Sequence, residues 1–497
     1  MASPPEGTRN GATQPNLGGN PLVDRFPVGT TDSGELRARR AAFVTLATVH
    51  TTLLMAMMVI AVALPTIQRE FELGNTGIAL VNSAYPVSFC GLLLLGGRLG
   101  DLIGWRRAFI VGTAVFAVGC AATALAPGFI ALLAARFCQG CGAAMAAPAA
   151  LALLRGVFPR REQYVRAIAV WGGLPMVGGA IGLLTAGPIV SWVSWRWLFL
   201  APALIALIAA AIAPALLPDL SPSVRQRLDW LGGALVTIGL ALVCYGLVDS
   251  GERGWSTPVV VTIACGAGFL AAFLFSQARR ADPLLPLSFF ASPRRLAGLC
   301  GLAAGATGVF SLSFFLPLYF QQTHDYSPAL TSAAFVPYSL AMFATSAFTG
   351  RLVSSFGART VTVAGLLTGA AGLLLLATMD DQQSYAGPVL AGMIVFPAGA
   401  LAVFAGATVA ALEDVPETHA GVAGGLLNAA MEFGPTLGFA ALVAVSGFWT
   451  TRLSDSGTPA HSAIPLGYGA ALTAAAGVFL LIALACWLLL RPSARRH

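Results

Sequence analysis

Gly97-Arg98-Leu99-Gly100-Asp101-Leu102-Ile103-Gly104-Trp105-Arg106-Arg107 joins two apolar runs, at about 76-97 and 107-126, and decides how the rest of the chain is read. It is a short polar turn with one carboxylate among three guanidinium groups. Each flanking run has the length needed to cross a bilayer, about 20 apolar residues. A second turn of similar form, Gly350-Arg351-Leu352-Val353-Ser354-Ser355-Phe356-Gly357-Ala358-Arg359, stands 253 residues later, again between apolar runs. A repeat that carries its hydrophobic runs with it is the mark of a polytopic membrane protein built by duplication.

Working outward from these turns, fourteen apolar stretches of spanning length run from 41-66 to 466-490. The composition agrees: 57% of the 497 residues are hydrophobic and 10% charged, against about 25% charged in soluble domains. Abundant Gly and Ala suit helices packed closely in lipid. The expected fold is an all-α polytopic bundle, with two six-helix halves at 41-217 and 297-490 and two inserted helices with their loops at 218-296. Residues 1-40, polar and rich in Gly, Pro and Thr, read as a disordered tail with no cleaved leader, and 491-497 as a second tail.

The net charge of +7 raises the question of nucleic acid, and the distribution of charge answers it. All 28 basic residues are Arg, gathered in short clusters between apolar runs, with no basic stripe or aromatic platform. With the amino terminus inside, 23 Arg fall on internal loops and tails and four on external loops (Arg69, Arg196, Arg253 and Arg452). Such a bias is the positive-inside pattern, so both termini are expected in the cytoplasm and the protein in the plasma membrane. A chain without Lys cannot hold a GxxxxGK[ST] phosphate loop, and no His, Asp, Ser or Cys cluster has catalytic spacing, so neither a nucleotide-driven pump nor an enzyme is expected. The eight Cys lie in apolar spans without metal-ligand spacing; Cys138 and Cys141 form a CxxC that reads as helix packing, with redox or metal chemistry as the alternative. No cofactor or metal is expected.

Arg136 is the only basic residue inside a span and Glu432 the only acidic one. Ionisable side chains are costly in a membrane interior and face partners or aqueous cavities, so both are candidates for proton coupling, with a structural polar contact or substrate recognition as the alternatives for Glu432 and substrate coupling or a structural pair for Arg136. Asn428 precedes Glu432 by one helical turn and shares its face. Tyr85, Gln139, Trp171, Tyr319 and Asn428 are the polar and aromatic residues expected to line a substrate cavity between the halves. His50 is a weaker interior candidate for coupling. Asp101, beside Arg98, Arg106 and Arg107, can pair with Arg or accept from open helix amides, a contact that latches one conformation and releases it in another; its alternative is a solvated loop salt bridge.

These residues resemble the major facilitator superfamily, and in particular its fourteen-helix drug/proton antiporter branch. The Gly97–Arg107 turn (Gly97, Arg98, Asp101, Gly104, Arg106 and Arg107) is similar to the superfamily's gating signature, and Arg136-Phe137-Cys138-Gln139-Gly140-Cys141-Gly142 to a second signature. Val62-Ala63-Leu64-Pro65-Thr66-Ile67, Ser194-Trp195-Arg196-Trp197-Leu198-Phe199 and Tyr326-Ser327-Pro328 look like the fourteen-helix branch. The resemblance implies alternating-access export of a hydrophobic or amphipathic small molecule in exchange for protons, by a monomer. Two departures stand out. Ala56 occupies a first-helix position that is commonly acidic in the branch, and Ala61 one that is commonly polar. In the fifth-helix signature Gly178, Gly179 and Gly182 remain, but Leu183 stands where a Pro usually follows; Pro175 and Pro188 can bend the helix instead. The missing acid keeps an importer or a uniporter open as alternatives, with a non-transporting membrane sensor behind them.

Overall fold

The computed structural model describes residues 32–220, 228–280, 283–382, 384–412 and 420–490, and among them it is helical throughout. In the first half, α1 (Asp32–Met58) and α2 (Ile60–Glu70) make one pass, because Val59 between them keeps helical angles (φ −61°, ψ −30°). There follow α3 (Asn75–Ile103), α4 (Trp105–Ala124), α5 (Phe129–Val157), the short α6 (Arg161–Trp171), α7 (Leu174–Trp192) and α8 (Trp197–Leu216). The insertion is α9 (Trp230–Arg253) and α10 (Thr257–Arg279). The second half holds α11 (Pro293–Leu318), α12 (Pro328–Ala334), α13 (Val336–Leu376), α14 (Leu390–Leu412), α15 (Ala420–Asp455) and α16 (Ala460–Leu489).

α1 begins at Asp32, within the stretch expected to be a disordered tail. Glu35 to Ala42 is a run of good helix formers, and its Arg side chains can reach back to water while the backbone continues into the membrane. The rest of that tail and the segment 491–497 lie outside the described residues.

Among the described residues, thirteen helices are long and apolar enough to span a membrane, and one of these, Pro328–Leu376, has 49 residues. At 1.5 Å per residue it would be roughly 74 Å long, more than twice a hydrocarbon core. It is broken at Gly357 (φ 80°, ψ 157°), a conformation open essentially only to glycine. Gly104, 253 residues earlier, turns the chain between α3 and α4 in the same way (φ 92°, ψ 137°). Counted as two passes, the long helix brings the total to the fourteen read from the sequence, and the two polar turns are conformational equivalents.

The halves pack alike. α4 lies on α5 and α8, and α1 on α5, α7 and α8; in the second half α13 lies on α14 and α16, and α11 on α14, α15 and α16. The insertion breaks the symmetry. α9 wedges against α3 of one half and α15 of the other, and α10 packs on α9 alone in any extent. Small residues seat the wedge: Gly91 of α3 lies against Thr237, and Gly251 against Gly447 of α15. Polar contacts pin its ends, with Glu252 accepting from Thr76 N (2.8 Å) and buried Asp229 accepting from Gly232 N (2.7 Å), Gln277 Nε2 (2.8 Å) and Arg280 (2.8 Å).

One face of the bundle carries the Arg-rich turns and the other is Arg-poor. Among the described residues, direct hydrogen bonds between the halves lie only toward the Arg-poor face. Gln321 donates to Val62 O (3.0 Å), Gln322 to Gln68 (2.7 Å), Ala329 N to Ser191 Oγ (3.0 Å), and Ser332 Oγ to Leu183 O (2.5 Å) while accepting from Gly187 N (2.8 Å). The bundle is closed on its Arg-poor face.

Candidate functional site

α5 enters from the Arg-poor face, so Arg136, seven residues in, lies about 10 Å deep. Close helix approach makes its seat: a Cβ on Gly140 would collide with Tyr85 O and Ser88 Oγ of α3, and one on Gly119 of α4 would fall 2.6 Å from Gln139 N. Arg136 is fully buried. Its Nη1 donates to Ala56 O of α1 (3.2 Å) and to Gln139 Oε1 (2.7 Å), and Gln139 Nε2 in turn donates to Cys120 Sγ of α4 (2.8 Å). The guanidinium lies 5.1 Å from the Tyr85 ring centroid and 5.7 Å from that of Phe199, a range in which the π faces attract the cation. Arg136 Nε and Nη2 have no partner.

Across from this group stands Glu432 of α15. It is partly exposed, but its Oε2 is buried and accepts no hydrogen bond; its backbone carbonyl accepts from Thr436 Oγ1 (2.7 Å). The Tyr85 hydroxyl donates to Leu53 O (3.2 Å). Three residues selected from the sequence, Tyr85, Arg136 and Gln139, therefore meet where α3 packs on α5, and Glu432 lies on α15, which packs on the same α3. Asn428, one turn from Glu432, is exposed.

The other expected cavity residues lie elsewhere. Trp171, at the end of α6, stacks on His50 at 4.5 Å and 20°, and His50 Nδ1 is buried without a partner. His50 precedes Ala56 on α1 by six residues, about 9 Å toward the Arg-rich face. Tyr319 sits near the Arg-poor face in an aromatic group with Phe320, Tyr326 and Tyr385, donating to Asp380 O (3.0 Å) and meeting His324 Nε2 (2.9 Å).

In the Gly97–Arg107 turn the pairing differs from the expected cluster. Arg106 forms an ion pair with Asp219 beyond α8, and Arg98 donates to Pro283 O (3.0 Å) in the loop after α10. Asp101 makes no hydrogen bond or ion pair among the described residues. The Gly104 turn explains the parting, since it places Asp101 and Arg106 on different helices. Pro175 opens α7 in its first turn, Gly178 and Gly182 face α1 at Thr51 O and Met55 O, and Gly179 lies at ordinary contact distance from Met58 of α1. Gly187, which sequence reasoning passed over, admits Pro328 of α12 against α7. Cys120 and Phe199, also passed over as site residues, fix Gln139 and Arg136. Their apolar or weakly polar side chains gave no signal at sequence level, although Phe199 ends one of the fourteen-helix pieces.

The arrangement brings one cation and one carboxylate, from different halves, to a shared interior closed on one face. It is the geometry of a two-body transporter rather than of a reaction site. Comparison with known proteins agrees. The chain is 34% identical to the puromycin resistance protein of Streptomyces alboniger over 87% of each chain. It is 34% identical to the cephamycin export protein of Amycolatopsis lactamdurans, over 86% of this chain and 88% of that one. Among solved structures, a bacterial homologue of the human lysosomal transporter Spinster, in an inward-facing and unoccupied conformation, has a TM-score of 0.67 at 15% identity, covering 91% of this chain and 96% of that one. The Major Facilitator Superfamily model matches residues 46–439. Duplicated halves, paired glycine turns and a match over most of the chain lead to one assignment: the chain belongs to the Major Facilitator Superfamily.

Proposed function

We propose that this chain exports a hydrophobic or amphipathic small molecule of drug or antibiotic type by alternating access, in exchange for protons. The observation that carries the reading is the placement of Arg136 in the first half and Glu432 in the second, each with buried polar atoms that have no partner. The printed names of the relatives, a puromycin resistance protein and a cephamycin exporter, support the direction and the substrate type.

In this reading the Arg-rich face is cytoplasmic, both termini lie inside, the protein works as a monomer in the plasma membrane, and the structure is inward-facing. A carboxylate without a donor in an apolar interior is costly, and a proton removes that cost. Glu432 thus exchanges a proton as the halves rock, while Arg136, Tyr85, Gln139 and Asn428 hold the substrate. Tyr319 belongs to the aromatic closure of the outer face. Asp101, released in this state, latches the turn in the outward-facing one. Gly178 and Gly182 keep α7 close to α1 as it moves.

Everted vesicles provide the test. An imposed proton gradient is expected to drive substrate accumulation in the wild-type chain and to lose that effect in Glu432→Gln; full gradient-driven uptake by this variant would remove Glu432 from the coupling role. One observation favours a second reading. Ala56 leaves the first helix without the acid common in the branch, and accumulation that ignores the pH gradient in the wild type would identify a uniporter or importer.

A further inference from the structure

We infer that the transported molecule carries a carboxylate, received by the Nε–Nη2 edge of Arg136. This rests on the exporter reading above and adds to it the chemical class of the substrate.

A guanidinium offers five N–H donors in a planar fork, and Nε with Nη2 forms the side edge, whose two parallel donors match the two oxygens of a carboxylate. In this chain the Nη1 corner is committed to Ala56 O and Gln139 Oε1, and Gln139 is itself fixed by Cys120. The side edge is what remains, and both of its nitrogens are buried and without a partner. Rings of Tyr85 and Phe199 lie 5.1 and 5.7 Å from the guanidinium carbon, and together with the two Nη1 bonds they fix the edge in place.

The protein supplies no carboxylate of its own. Ala56, whose backbone touches Nη1, ends in a methyl group, and Glu432 makes no bond to Arg136. A buried cation held without a counter-ion is costly to keep. A ligand that brings the missing carboxylate removes this cost, whereas an amide or a cation in its place does not. The apolar and aromatic surroundings suit an arene or alkyl body behind that head group.

The test uses the full chain in lipid nanodiscs and pairs of aryl-alkanoates with their carboxamides, beginning with 2-naphthylacetate and 2-naphthylacetamide and extending to longer homologues. Calorimetry is expected to show the carboxylate bound at least about tenfold more tightly than its amide, the scale of a charge-assisted hydrogen bond. Arg136→Gln should abolish the preference. Arg136→Lys should abolish it too, because Lys keeps the charge but not the fork. Ala56→Asp should abolish it by filling the edge from within, and its thermal unfolding temperature should be at least that of the wild type, which separates occupancy of the edge from misfolding. Equal affinity for every pair, or a preference that survives Arg136→Gln, would overturn the inference. Everted vesicles separate it from the exporter reading. Gradient-driven accumulation of neutral or cationic amphiphiles with no carboxylate preference leaves the exporter standing and sinks this inference. An Arg136-dependent carboxylate preference with no accumulation of any compound does the reverse.

Discussion

In the first half, Gly104 reverses the chain between α3 and α4 at φ 92°; in the second, Gly357 does so at φ 80°, 253 residues later. The same offset carries Arg136 onto Val389 and Glu432 onto Gly179. The halves therefore keep the same turn and exchange their charges, one contributing a cation to the interior and the other a carboxylate. The difference follows from what each position must satisfy. A turn at positive φ is a demand on the backbone that only glycine meets without strain, so both copies retain it. A side chain facing a shared interior is constrained by the opposite half, which differs for each copy.

Four measurements break or sharpen that comparison. The largest effect is expected from Glu432→Gln, which should leave substrate binding in nanodiscs within a few-fold of the wild type while removing the response of transport to a pH gradient in everted vesicles. Next is Arg136→Ala: losing a buried charge-assisted contact costs on the order of 1.5–3 kcal/mol, so substrate affinity should weaken by roughly 10- to 150-fold. If the charges serve different steps, the Arg136 variant loses affinity and the Glu432 variant loses coupling. If both variants lose the same property, the division of labour between the halves is wrong.

The turns come third. Gly104→Ala and Gly357→Ala each force a non-glycine residue into strained backbone, at a cost of about 1–3 kcal/mol, and thermal denaturation of the two variants should show similar losses. A large loss at one turn only would mean that the duplication has kept the shape of the turn but not its structural weight.

The smallest effect concerns a clamp that, among the described residues, the first half alone possesses. At the end of the first pass Glu70 accepts from Arg196 (2.6 and 3.1 Å) and from Trp195 Nε1 (2.6 Å), whereas the offset carries Glu70 onto Thr323. The bond from Arg196 is the main reason the Glu70 carboxyl titrates below its ordinary 4.5; Trp195 adds to this and burial works against it. Because the folded value is the lower one, the stabilisation is complete above 4.5 and fades as the pH falls through the folded value. Both side chains are about one-third exposed, so solvent screening holds the contribution to about 1 kcal/mol or less. Glu70→Gln should lower the unfolding temperature slightly at neutral pH, with no difference from the wild type in strong acid.

Much of this was legible in the sequence. Arg136 and Glu432 could be selected because an ionisable group in an apolar span has to face inward, and Tyr85 and Gln139 met Arg136 for a related reason. Tyr319 lacked any such constraint: an aromatic ring is at home in a core, a cavity or a membrane interface, and here it joins an aromatic group of the second half near the Arg-poor face. The partners of Asp101 were illegible for a different reason. Residues adjacent in the turn are separated by Gly104 onto two helices, and Arg106 instead reaches Asp219, 113 positions away.

The sequence by itself determined the solvent, the number of passes, the duplication and the identity of the interior charges. These are local properties, carried by the length and polarity of each run and by the cost of a charge in lipid. Tertiary structure alone decided how the charges are placed: that Arg136 spends one corner on Ala56 O and Gln139, that its side edge has no partner, and that Glu432 makes no bond to the guanidinium. Those outcomes depend on how closely helices from distant parts of the chain approach. That distance is set by Gly119, Gly140 and their neighbours only once the whole bundle has packed.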